Sequence, residues 1–256
     1  MTKSKKTIAV IVAHPDDETL WAGGTILNHP EHDWFIVCLC RASDFDRSKR
    51  FYNVLKKLHV AGIMGDIDDG PEQKSLDENI LENEIIRLLP NKHYDLIITH
   101  DLLGEYTKHL RHEEVNISVL NLWKCNKISS DELWTFAYED GNKKYLPQAI
   151  ENANIIKPLS GKIWTKKYNL LTEDYGFSPD SWEAQTTPKT EAFWQIKKND
   201  DKIYKQFDNA VEMSRFSILK KLYKDKMYTN FCKVELTNEI SDLICSELID
   251  YEVYTK

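Results

Sequence analysis

Apolar and polar positions follow two rhythms along the first half of this chain. Thr7-Ile8-Ala9-Val10-Ile11-Val12-Ala13 is a continuous β-rich run, which predicts a strand buried on both faces. Thr19 to Asn28 then reads as an amphipathic helix in which Gly23-Gly24 permits close approach to a sheet, and Trp34 to Cys40 is the next apolar run. Together these make one βαβ unit. Arg47 to His59 carries Phe51, Val54, Leu55 and Leu58 at helical spacing, and Ala61 to Ile67 is a third strand ending in Asp68-Asp69-Gly70. Leu76 to Leu89 predicts a helix with Ile80, Leu81, Ile85, Leu88 and Leu89 on its buried side, stopped by Pro90. The strand Tyr94 to Thr99, a helix over Glu113 to Lys124 and the strand Leu133 to Tyr138 continue the series. Alternation of this kind predicts an α/β fold: a Rossmann-like, doubly wound, mostly parallel sheet with right-handed crossovers and helices on both faces.

The rhythm weakens beyond about residue 140, which predicts one domain over 1–256: an α/β core to 140 and a less regular C-terminal elaboration over 141–256. Ala153 to Pro158 and Ile163 to Leu171 read as short strands, and Thr172 to Lys198 as an ordered but irregular segment. Helical periodicity returns over Asn209 to Tyr228, and Ser241 to Tyr254 reads as a last helix or a helix plus an edge strand. The net charge of −7 argues against a nucleic-acid or anionic-membrane surface; the basic clusters at Lys220-Lys221 and Lys224 to Lys226 read as solvated helix faces. No apolar run reaches the roughly 18 residues of a membrane span, and Met1 to Lys6 lead into the first strand without a signal-peptide core. A soluble, cytoplasmic protein is expected. Its five scattered cysteines suit a reducing compartment, with Cys38 and Cys40 as packing residues on one strand face.

Chemistry concentrates where the first strand ends. His14-Pro15-Asp16-Asp17-Glu18 stands at a strand's C-terminal edge, the position at which open α/β sheets bind ligands. All eight histidines lie within the first 112 residues, so any imidazole site belongs to the α/β half. His29, His32, His59 and His93 read as surface residues next to loops and helix ends. His109-x-x-His112 differs, because an i, i+3 spacing on a helix places two rings on one face, just after the loop leaving the strand that ends at Thr99. Zinc takes nitrogen and carboxylate ligands, and a catalytic zinc keeps one position open. His14, one of Asp16 and Asp17, and one of His109 and His112 supply that set, with the spare carboxylate and imidazole left as base and acid. The competing reading makes the acids a helix N-terminal cap and the histidine pair solvated surface.

Ala13-His14-Pro15-Asp16-Asp17-Glu18 after a first strand, Gly23-Gly24 downstream and a later His109-x-x-His112 resemble the PIG-L/LmbE-like family of zinc-dependent N-deacetylases, over residues 7 to about 140. The resemblance implies a hydrolase that removes the acetyl group from an N-acetylated amino sugar or glycoconjugate. It implies zinc, with another divalent metal as the alternative, held by His14, Asp17 and His112. It makes Asp16 the general base, His109 the group that stabilises the oxyanion or protonates the leaving amine, and Arg47 and Asp69 residues that hold the sugar. The chain departs from the family in two places. Leu110-Arg111 stands where the second motif usually has Pro-Asp, which removes the aspartate that orients the first histidine and brings in a positive charge; and the loop Gly104 to Lys108 is one residue longer than in some relatives. Trp164, Tyr168, Tyr175, Phe177, Trp182 and Trp194 offer aromatic surface for a sugar or for packing, with packing favoured. A zinc amidase acting on a non-sugar amide or thiol conjugate shares the same core, and a non-catalytic glycan-binding relative is the third reading. A dinucleotide enzyme is disfavoured, because no G-x-G-x-x-G follows the first strand.

Overall fold

The five apolar runs of the first half become the parallel part of one sheet. They are β1 (Thr7–Val12), β2 (Asp33–Cys40), β3 (Ala61–Ile67), β4 (His93–Thr99) and β5 (Ser129–Phe136). The structure is a computed structural model, and it describes residues 4–72, 74–107 and 109–197. The helices predicted over Asn209 to Tyr228 and Ser241 to Tyr254 lie outside the described residues. Helices α1 (Asp17–Asn28), α2 (Phe45–Leu58), α3 (Glu78–Leu88) and α4 (Leu110–Lys124) connect the strands. The strands run β3-β2-β1-β4-β5, and two antiparallel strands, β9 (Thr190–Lys197) and β8 (Ile155–Pro158), extend the sheet past β5. A two-stranded ribbon of β6 (Tyr138–Glu139) and β7 (Gln148–Ala149) stands apart.

Strand order reverses between β1 and β4, which pair in parallel from Ile8↔Leu96 to Ile11↔Thr99. The loops leaving these two strands therefore open side by side, and they carry His14 to Asp17 and His100 to His112. That topological switch point is where a ligand crevice forms in a doubly wound sheet.

The C-terminal half departs from expectation in two elements. Residues 163–171, read as a strand, form most of α5 (Gly161–Asn169) and a π-helical turn (Leu170–Asp174). Ser160 starts that helix as its N-cap, its Oγ accepting from the Ile163 N–H at 3.3 Å. The segment read as irregular contains a five-residue helix, α6 (Trp182–Thr186), and β9. Ile80, expected on the buried side of α3, is half exposed at 51%.

These elements cover α1, which is buried from Asp17 through Ile26 instead of along one stripe. A Cβ at Gly24 would lie 2.5 Å from Leu159 and 3.0 Å from the Glu191 carboxylate, so the small residues admit the C-terminal half as well as the sheet. Glu191, fully buried on β9, accepts the Gly24 and Thr25 N–H groups, each at 2.7 Å, and pairs with the equally buried Lys167 of α5 at 2.7 Å. One carboxylate thus joins α1, α5 and β9.

Candidate metal and substrate site

The chain turns sharply out of β1. Asp16, the N-cap of α1, has φ of 136°, a positive value that costs a non-glycine residue on the order of 1–3 kcal/mol and that clusters at functional sites. The conformation is held by the Asp16 carbonyl, which accepts the Thr19 and Leu20 N–H groups at 2.9 and 2.7 Å, and by the Asp16 N–H, which donates to Glu18 Oε2 at 3.2 Å. Glu18 is itself fixed by Thr19 Oγ1 at 2.5 Å and by the Tyr175 hydroxyl at 2.7 Å. The Asp16 carboxylate lines a cavity of about 300 Å³, where Arg47 Nη2 donates to it at 3.1 Å. Burial and the adjacent Asp17 charge push its pKa well above the usual carboxylate range, against the pull of Arg47.

Asp17 occupies the first turn of α1. Its Oδ2 accepts the His14 N–H at 2.8 Å and its Oδ1 accepts Trp21 Nε1 at 3.2 Å. Burial alone would raise its pKa, but His112 and His100 beside it hold the carboxyl well below the usual value.

The β4–α4 loop supplies the remaining imidazoles. His112 is fully buried and its Nδ1 lies 2.5 Å from Glu105 Oε2, an acceptor that places the ring proton on Nδ1 and leaves the Nε2 lone pair facing the cavity. His14 is fixed in the complementary sense: its Nε2 lies 3.1 Å from Asp69 Oδ1, leaving the Nδ1 lone pair inward. The inward atoms converge, with His14 Nδ1 3.1 Å from His112 Nε2 and 3.2 Å from Asp17 Oδ2, and His112 Nε2 3.4 Å from Asp17 Oδ2. Two ring nitrogens and a carboxylate oxygen directed at one point form a donor set able to hold a cation. The spacing matches the ~3.3 Å edge of a tetrahedron with ligand bonds of ~2.0–2.1 Å, so the donor set fits one ion of zinc's type.

His100 and Glu105 were not singled out by the sequence, and both belong to this arrangement. His100 is fully buried and stacked on His112, ring centroids 3.8 Å apart. Its Nε2 accepts the Ala13 N–H at 2.9 Å and lies 3.5 Å from Asp17 Oδ2, and its Nδ1 lies 3.0 Å from Glu105 Oε2, so both nitrogens are engaged within the arrangement. Glu105, whose burial is outweighed by the two imidazoles, has its pKa lowered to about 2 and is charged at neutral pH. Its signal in the sequence is weak: an acid seven residues before His112 within a loop.

Two expectations about the second histidine motif are corrected. His109 is the N-cap of α4, with extended backbone, rather than a residue inside the helix; its ring still lies beside that of His112, centroids 4.2 Å apart. Arg111 brings no charge into the cavity. It is fully buried away from it, paired with Glu114 and donating to the Lys74 carbonyl at 3.2 Å. The missing aspartate does leave a mark, since Nδ1 of His109 is buried without a partner among the described residues. Burial and the neighbouring imidazoles lower the pKa of His109 to about 3.

Of the two residues expected to hold a sugar, both line the cavity. Asp69 spends its oxygens on His14 and on Arg41, whose Nη2 is 2.9 Å away. Arg47 holds Asp16 and the Pro15 carbonyl with Nη2, and its guanidinium lies 5.5 Å from the Phe177 ring centre. Tyr106, Trp182 and Glu183 complete the wall, the last two coming from the C-terminal half. Among the described residues, no helix is long and apolar enough to cross a membrane.

Comparison with known proteins gives one curated relative, an uncharacterized protein, L374, of Acanthamoeba polyphaga mimivirus, 24% identical over 186 residues, 66% of this chain and 79% of that one. N,N′-diacetylchitobiose deacetylase of Pyrococcus horikoshii superposes with a TM-score of 0.59 at 14% identity, covering 75% of this chain and 84% of the other. GalB, the 4-carboxy-2-hydroxymuconate hydratase of Pseudomonas putida KT2440, does so with a TM-score of 0.52 at 15% identity, covering 75% and 96%. One fold therefore carries a deacetylase and a hydratase, and side chains must decide the chemistry. Residues 9–123 match the model of the PIG-L family, described as GlcNAc-PI de-N-acetylase, and the α/β core of this chain is similar to that family.

Proposed function

We propose that this protein is a metal-dependent N-deacetylase that hydrolyses the acetamide of an N-acetylated amino sugar or glycoconjugate, with zinc as its ion. The observation that carries this reading is the convergence of His14 Nδ1, Asp17 Oδ2 and His112 Nε2 beside a strained, buried Asp16 that is spent on none of them. The family match over residues 9–123 supports the same chemistry.

When bound by His14, Asp17 and His112, a divalent ion supplies Lewis acidity to the amide carbonyl and lowers the pKa of a water towards ~7. The chain's own groups do the rest. Asp16 takes the proton of the attacking water, and Arg47 at 3.1 Å holds its carboxylate in place. His109, edge-on to His14 with ring centroids 4.8 Å apart, offers an N–H to the developing oxyanion. The proton gained by Asp16 then passes to the departing amine nitrogen, so the C–N bond breaks to give acetate and a free amine. Asp69 keeps the ring of His14 oriented from the far side.

Metal analysis beside an acetate-release assay tests this reading on wild type and Asp16→Asn. We expect about one zinc per chain in both, and a loss of ~100- to 10,000-fold in turnover in the variant. Full zinc content with unchanged turnover would remove Asp16 as base, and absence of bound metal would remove the mechanism.

A further inference from the structure

The metal-binding triad and Asp16 account for hydrolysis of an amide, but they are indifferent to what the amide is attached to. That choice falls to the outer wall of the cavity, where most polar groups are already occupied. Asp69 is bound to His14 and Arg41, and Arg47 Nη2 to Asp16 and Pro15. Two charged groups retain capacity. Nε and Nη1 of Arg47 make no hydrogen bond to a described residue, and the carboxylate of Glu183 has neither hydrogen bond nor ion pair among the described residues. Next to Glu183 stands Trp182, half-buried, its ring 4.7 Å from Tyr106 at 63° and 6.4 Å from Trp21 at 68°. Edge contacts on both sides brace the indole as a platform.

We propose that Trp182 and Glu183 form the subsite for the sugar ring, selecting a neutral, hydroxyl-bearing ring over an apolar or anionic amide; this rests on the deacetylase reading above. The charge of Arg47 is paired with Asp16, so the uncommitted charge on this wall is the Glu183 carboxylate, which repels an anionic ligand. A sugar hydroxyl both donates and accepts, and it is served by a donor on Arg47 and an acceptor on Glu183 together. A pyranose also presents an apolar C–H face that suits an indole platform. A fatty-acyl or simple aryl amide would leave Glu183 desolvated without a partner, a strong basis for rejection. Both residues lie outside residues 9–123, so this subsite is not part of the matched core.

The test uses the full chain and two readouts. In the acetate assay, Glu183→Ala and Trp182→Leu should raise KM for N,N′-diacetylchitobiose by ~10-fold or more, with kcat within about threefold and zinc content unchanged. Glu183→Gln, which keeps the shape and an acceptor oxygen, should fall between. The same variants should not raise KM for p-nitroacetanilide. In a ligand-observed NMR titration on the zinc-loaded Asp16→Asn protein, Glu183→Ala and Trp182→Leu should weaken the binding of N-acetylglucosamine by a similar factor. The NMR readout does not depend on turnover: absent acetate release with sugar binding that still needs Glu183 overturns the deacetylase reading and keeps the subsite. Sugar binding absent from Asp16→Asn, unaffected by the wall substitutions, or lost in parallel with zinc overturns the subsite.

Discussion

Replacing Glu105 by Gln isolates one link between the fold and the metal ligands. In the native site Glu105 Oε2 lies 2.5 Å from His112 Nδ1 and 3.0 Å from His100 Nδ1, while Oε1 accepts the Asp101 N–H at 3.0 Å. Glutamine has one acceptor oxygen. Turned towards the imidazoles, it sets its NH2 against the Asp101 N–H; turned the other way, it sets it against both rings. Either arrangement leaves a buried donor without a partner, about 1–3 kcal/mol, and also removes the charge that strengthens the imidazole bonds. A total near 2–3 kcal/mol in the metal-free protein, at ~2–4 °C per kcal/mol, predicts that Tm falls by ~4–12 °C. The ring of His112 then loses its fixed tautomer, and metal affinity should weaken by ~10- to 100-fold, which is ~1.4–2.7 kcal/mol. Competition against a chelator of known affinity measures the second effect and thermal unfolding of the metal-free protein the first. A lower Tm with metal affinity within twofold of wild type would refute the reasoning, because Glu105 would then be a structural acceptor and His112 would not need its help to bind the ion.

Three further predictions reach outwards from the site. Tyr175→Phe removes the 2.7 Å bond to the fully buried Glu18, which should cost ~1.5–3 kcal/mol. Because Glu18 also holds the Asp16 N–H, kcat should fall while zinc content stays at one per chain; an unchanged kcat would separate Tyr175 from the geometry of Asp16. Lys167→Met strands the Glu191 charge among its N–H donors and should cost ~3–5 kcal/mol, recovered only in part by adding Glu191→Gln, whose single acceptor oxygen leaves one of the Gly24 and Thr25 N–H groups facing its NH2, so equal Tm values for the single and double variants would contradict the assignment. Asp140 accepts the Thr107 N–H at 2.7 Å and its hydroxyl at 2.5 Å, and although burial opposes them these bonds hold its pKa below the usual carboxylate value. A depressed folded-state pKa contributes stability that is complete above the unfolded value near ~4 and vanishes as pH falls through the folded one. In urea titrations from pH 6 down to 2.5, the gap between wild type and Asp140→Asn should therefore close, and parallel profiles would exclude this linkage.

How much of the molecule can be read from its sequence depends on whether the signal is local. Parallel strands covered on both faces read as unbroken apolar runs, so β1, β2 and β4 are legible with little error at their ends, whereas the partly buried edge strand β3 is legible from a shorter apolar stretch closed by Asp68-Asp69-Gly70. The start of β5 is not, because Ser129-Ser130-Asp131-Glu132 is polar although it pairs with β4 from His93 onward. The C-terminal half fails for a sharper reason. The pair holding it to α1 consists of two buried charges, Lys167 and Glu191, separated by 24 residues. Hydropathy assigns each to solvent, which hides the inward face of α5 and the start of β9.

The site divides along the same line. His14, Asp16, Asp17, His109 and His112 are legible because each motif is compact, and only the delivery of both to one edge has to be inferred. His100 and Glu105 have no local pattern. His100 acquires its place only because β4 lies beside β1, which puts the Ala13 N–H 2.9 Å from its Nε2, and Glu105 acquires its place only because that histidine and His112 then stack above one carboxylate. Arg111 shows the converse. Its position between two site histidines suggests a charge in the cavity, yet a helix sends successive side chains about 100° apart, and Arg111 turns inward to Glu114 while His112 faces the metal donors. Of the two residues that the sequence could not supply, Glu105 fixes the tautomer of His112 and His100 packs on its ring, so in this chain ligand identity is local information and ligand orientation belongs to the topology.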